Sequence, residues 1–129
     1  MKKFFMTVGI LLMVLAVLIS CAPEPSILFQ NFMDDMDVEG RFSDNAAEIE
    51  RGKGSDLIVA AIDALIGDLK TMTLDNATAK AITAEFISSC EVLKEAARVN
   101  SKQMLDEARD LFQKALKKEY DFSKKKTSE

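Results

Sequence analysis

The chain has 129 residues, 48% of them hydrophobic, with 17 basic and 21 acidic side chains and a net charge of −4. It contains no histidine and no tryptophan, which excludes Ser-His-Asp and Cys-His nucleophile systems and the HExxH metalloprotease class. The acidic balance argues against nucleic acid as a partner, because phosphate binding rests on clustered Lys and Arg.

The first element is a leader. Lys2 and Lys3 precede an uncharged apolar run from Phe4 to Ile19. At 16 residues the run is short of the roughly 20 needed to cross the hydrocarbon layer, and it suits the apolar region of a signal peptide. Leu18-Ile19-Ser20-Cys21 closes it. Leu18 is too large for the small-x-small site of an ordinary secretory signal. The order of these four residues resembles the lipobox of bacterial lipoproteins, a Leu, a small or aliphatic residue, then Gly, Ala or Ser before Cys. The resemblance implies that residues 1–20 are removed and that Cys21 carries several acyl chains, palmitate-like in kind. One chain holds only marginally and two make a stable anchor, since each buried methylene returns about 0.8 kcal/mol. It also implies an extracytoplasmic, membrane-anchored location. Ala22 follows the cysteine where retention at an inner membrane is associated with Asp, so an outer membrane is favoured if there are two.

Removal of residues 1–20 leaves 109 residues, enough for one small domain, with a charge of about −6. Residues 21–26, with Pro23 and Pro25, read as a stiff spacer that lifts the domain from the bilayer. The helical domain is expected over 27–123, and a charged tail with Lys124-Lys125-Lys126 over 124–129.

Ser26 to Met36 carries Ile27, Leu28, Phe29, Phe32 and Met33, an apolar patch that predicts a short N-terminal helix. Asp34 to Asn45 is polar and contains Gly40, so it reads as a loop, followed by a brief turn through Ile49 that Gly52 and Gly54 end. Within it, Asp35, Asp37, Glu39, Gly40 and Phe42 resemble the first positions of an EF-hand loop. The bidentate Glu of that loop is replaced by Ala46, so the expectation is an acidic connector and no bound metal.

Leu57, Ile58, Ala61, Ile62, Leu65, Ile66, Leu69 and Met72 form an apolar stripe that predicts a helix over 55–72, capped by Ser55. Gly67 within it is expected to permit a close helix crossing. Asn76 offers the next cap, and Ile82, Phe86, Cys90, Leu93 and Ala97 predict a helix over 76–99. Cys90 reads as a buried, inert thiol. A third stripe, with Met104, Ala108, Leu111, Ala115 and Phe122, predicts a helix over 101–122 flanked by Leu105, Phe112 and Leu116. The two stripes share a phase through Asn100, so one helix of 45 residues or so is allowed. The weak stretch Arg98 to Ser101 and the gain from folding back favour a hairpin. The fold class expected is all-α, a small bundle of about three main helices with a short one in front.

Leu105 to Leu116 resembles the second helix of a tetratricopeptide repeat, through the small–aromatic–small spacing of Ala108, Phe112 and Ala115. That resemblance implies an interaction or packing face on these three residues and covers about a quarter of the chain. The first helix of such a unit matches poorly, with Glu95, Ala96 and Val99 at its Leu, Gly and Tyr positions, and no second copy is visible.

No Gly-x-Ser-x-Gly elbow or phosphate-binding glycine loop is present, and no pair of carboxylates is fixed in a shared cleft. The expected function is therefore a non-catalytic, lipid-anchored helical module of the cell envelope, without a cofactor, that binds an envelope protein. Two alternatives stand beside it: an apolar ligand or lipid held between helices with Met33, Met72 and Met104 in its lining, and a structural envelope component.

Overall fold

A computed structural model describes residues 24–53 and 56–127, with side chains to Lys124. The leader, the lipobox residues Leu18, Ile19 and Ser20, the cysteine Cys21 and the cap Ser55 lie outside the described residues. Every element among the described residues is a helix: α1 (Pro25–Asp35), α2 (Val38–Glu50), α3 (Asp56–Leu69), α4 (Ala77–Val99) and α5 (Lys102–Thr127). The fold is an all-α bundle, as the periodicity predicts.

Helix α1 opens at Pro25, inside the segment read as spacer. Proline is at home there, because the first helical N–H has no partner in any case. Ser26, Phe29 and Met33 face inward at steps of three and four, while Ile27 and Leu28 stay exposed.

The largest departure from the sequence reading is α2. The expected loop over 34–45, and with it the acidic connector and the EF-hand resemblance, is overturned by a 13-residue helix from Val38. Val38, Phe42, Ala46 and Ile49 are all buried, one residue per turn, beneath an acidic outer surface. Their burial outweighs the roughly 1 kcal/mol that Gly40 costs relative to Ala inside a helix. Gly40 has a local role: a Cβ there would lie 2.6 Å from Asp37 Oδ1. Asp37 itself makes the two-residue turn from α1 by adopting a left-handed backbone (φ 51°), which Asp tolerates better than most residues.

Helix α3 buries Ile58, Ile62, Leu65, Ile66 and Leu69, a narrower stripe than expected. Leu57 and Ala61 belong on the outer face, and the helix ends at Leu69 with Met72 half-buried beyond it. Gly67 is exposed and a Cβ there would meet nothing within 4 Å, so it marks no helix crossing.

Asn76 caps α4 by accepting the Ala79 N–H at 2.9 Å. The predicted face of Ile82, Phe86, Cys90, Leu93 and Ala97 is buried, joined by Ala79 and Ala96. Buried Thr83 and Ser89 donate their hydroxyls to the carbonyls of Ala79 and Phe86 within the helix. The chain reverses at Asn100 (φ 51°), and Ser101 Oγ accepts the Met104 N–H at 3.2 Å to start α5. The hairpin is the arrangement present. Helix α5 continues to Thr127, so residues 124–127 of the expected tail are helical.

The α4–α5 hairpin is the spine of the bundle, with α3 laid on α4, α2 wedged between α3 and the hairpin, and α1 against the late turns of α5. Three rings join the layers: Phe42 stacks on Phe112 (centroids 3.9 Å, 8° between planes), and Phe86 meets Phe112 edge-on at 5.2 Å. At the far end of α5, Phe29 of α1 meets Phe122 edge-on at 6.2 Å. Ion pairs tie the outside together: Arg41–Asp68 at 2.7 Å, Lys94–Asp63 at 2.8 Å, Arg109–Glu50 at 3.0 Å, and Lys118 with Glu85. These pairs are partly exposed and serve register more than stability.

Candidate functional site

The arrangement of the helices gives the bundle two distinct ends. At one, α2 finishes, α3 begins and the α4–α5 turn lies: Ile49, Gly52, Asn100, Ser101 and Leu105 line one shallow cleft there. At the other, α1 begins beside the last turns of α5, held there by Phe29 on Phe122. Glu24, the first described residue, is three positions past Cys21. The second end is therefore the one the N-terminal segment must reach.

A cleft of about 470 Å³ opens between α1 and α5 at this end. Ser26, Ile27 and Gln30 line it from α1, Tyr120, Ser123 and Lys124 from α5, and Glu24 stands at its edge. Ser26 is 1% exposed, and its hydroxyl is the buried side-chain oxygen without a hydrogen-bond partner among the described residues. An unpaired buried hydroxyl costs on the order of 1–3 kcal/mol. Lys124 Nζ lies 5.7 Å from the centre of the Tyr120 ring. Around the cleft the surface is amphipathic: Ile27 is 50% exposed, Leu28 40% and Tyr120 62%.

One turn earlier on α5, Glu119 is half-buried and faces the acidic end of α1 and the start of α2. Loss of hydration pushes its carboxyl up to about 7, and the nearby Asp34 and Glu39 carboxylates add to the effect. A separate groove between α4 and α5 is lined by Glu85, Ser88, Leu111, Lys114 and Lys118. Lys117 and Asp121 also line it; Lys114 pairs with Asp110 at 3.0 Å, and Lys118 with Glu85.

Several of the other residues singled out from the sequence lie inside the fold. Ala108, Phe112 and Ala115 are buried to within 2% and form the seam against α4 and α2, so in this domain they pack. Cys90 is fully buried, and burial pushes its thiol up to about 12. Asp35, Asp37 and Glu39 form no metal cage, and no cluster of three or more His, Cys, Asp or Glu suited to a metal occurs among the described residues. Met33 is buried, and Met72 and Met104 pack at the edge of the core.

The sequence reading did not connect Ser26, at the start of the short first helix, with Tyr120, near the end of the last, as the lining of one cleft. Their pairing depends on a contact between residues about ninety positions apart. Comparison with family models, with curated proteins and with solved structures gives no match to this chain.

Proposed function

We propose that this chain is a lipid-anchored protein of the cell envelope, whose helical domain is a non-catalytic module for binding another envelope protein. The observation that carries the reading is Leu18-Ile19-Ser20-Cys21 behind Lys2, Lys3 and a run of 16 uncharged residues. Acylation of Cys21 supplies membrane attachment without any contribution from the fold. No helix of the described residues is long and apolar enough to cross a membrane.

The interaction role rests on the character of the domain. Most of its large side chains are spent on a shared core, and many of its polar groups on caps and surface ion pairs, which supports recognition by shape rather than chemistry. Metabolic labelling with a fatty-acid probe, compared between the parent and Cys21→Ser, tests the anchor; label retained by the variant refutes it. Affinity purification from detergent-solubilised membranes tests the module, and the expected result is one stoichiometric envelope protein. Recovery of the chain alone removes the binding role.

A further inference from the structure

We infer that the α1–α5 end of the bundle is a bilayer-facing surface that rests on anionic phospholipid headgroups, with Ile27, Leu28 and Tyr120 at the interface and the basic end of α5 toward the phosphates. The inference rests on the membrane-anchored reading and adds to it the orientation and the lipid class.

The first support is reach. Helix α1 begins at Pro25, so three residues and four Cα-to-Cα steps separate the fold from Cys21. Fully extended, they span at most about 14 Å. A headgroup layer is itself roughly 5–8 Å deep. The domain therefore has no stalk on which to stand clear of the membrane, and the start of α1 is held within or just above the headgroups. The same holds whether acyl chains on Cys21 or the apolar residues 4–19 provide the anchor.

The second support is the surface that this tether brings down. Ile27 and Tyr120, both exposed, line the α1–α5 cleft, and Leu28, next to Ile27 in the first turns of α1, is exposed as well. Tyrosine with its apolar ring and polar hydroxyl is the side chain that favours the membrane–water boundary. The sequence at the end of α5 runs Lys124-Lys125-Lys126 with no acidic residue between Phe122 and Thr127, in a chain that is otherwise acidic, while Lys118 is already paired with Glu85 on the α4 side. Lysine stems can lie along an apolar boundary while their charges reach phosphate. Gln30 and Ser123 add polar side chains to the same cleft.

The third support is the asymmetry of the molecule. Antiparallel packing, marked by Lys94–Asp63 between α3 and α4 and by Lys118 with Glu85 between α4 and α5, puts the start of α3 and the end of α4 at the opposite end. Leu57 and Val99 are exposed there. With the α1–α5 end on the bilayer, that end projects outward.

The test uses the absence of native tryptophan. Leu28→Trp, Ile27→Trp and Leu57→Trp variants of the full chain are purified from membranes and reconstituted into vesicles of phosphatidylglycerol and phosphatidylethanolamine containing a bromolipid. Circular dichroism establishes that each variant is folded. Tryptophan quenching at Leu28 and Ile27 is expected to exceed that at Leu57 by at least about twofold. The contrast should shrink when phosphatidylcholine replaces phosphatidylglycerol, and again in a chain with Lys124, Lys125 and Lys126 changed to Ala. Equal quenching at both ends, or a contrast indifferent to lipid charge, overturns the inference. The mass of the same purified protein reports the anchor separately, so a wrong orientation and a wrong anchor give different results.

Discussion

Glu119 gives a prediction whose sign changes with pH. Its carboxyl is raised from the ordinary 4.5 to about 7 by burial, with Asp34 and Glu39 adding repulsion. A group raised on folding favours the native state only while protonated. Its penalty is absent below the unfolded value near 4.5, grows as pH rises through the interval, and is complete above about 7. The full displacement corresponds to roughly 3 kcal/mol at 1.36 kcal/mol per pH unit. Solvent reaches the half-buried carboxyl, which reduces the expected effect to about 1–2 kcal/mol. Glu119→Gln keeps the shape and removes the charge. Urea unfolding should therefore show the variant more stable than the parent by about 1–2 kcal/mol at pH 8, and within about 0.5 kcal/mol of it at pH 4. Glu50 is lowered by its bond to Arg109 and works in the opposite sense, so the difference between variant and parent is the quantity to follow. An equal increment at both pH values, or a loss of stability at pH 8, refutes the assignment of Glu119 to a desolvated, acid-lined position.

Phe112→Ala should cost about 3–5 kcal/mol in chemical denaturation, because it removes the ring that both Phe42 and Phe86 contact. Gly67→Ala should raise stability by about 0.5–1 kcal/mol, since the position is an exposed helix interior with open space around it. Asn76→Ala should lose about 1 kcal/mol with the cap on the Ala79 N–H, measured the same way. Cys90 should resist maleimide in native buffer and react on addition of urea, with the rate following unfolding.

Helices α3, α4 and α5 are legible in the sequence because apolar spacing and capping residues agree there: Asn76 and Ser101 sit where the stripes start. Helix α2 is hidden for a physical reason. Its local signals, Gly40 and a high density of acids, speak for a loop, while the burial that stabilises it comes from Val38, Phe42, Ala46 and Ile49 meeting helices distant in sequence. A stripe of one apolar residue per turn is real but thin, and the resemblance to a calcium loop competes for the same letters. Leu57 and Gly67 mislead in the other direction, since periodicity assigns a face without knowing how wide the neighbouring helix is. The proposed anchor signal is local and readable in four residues. The proposed headgroup-facing end is not, because Ile27, Ser26, Tyr120 and Lys124 converge only when Phe29 finds Phe122.

The most direct measurement is the intact mass and N-terminal peptide of the natural protein extracted from membranes. The account predicts a chain that begins at Cys21, heavier than its 109 residues by the mass of its acyl chains. A chain that still carries Met1 to Ser20, or one that begins at Cys21 without added mass, contradicts it.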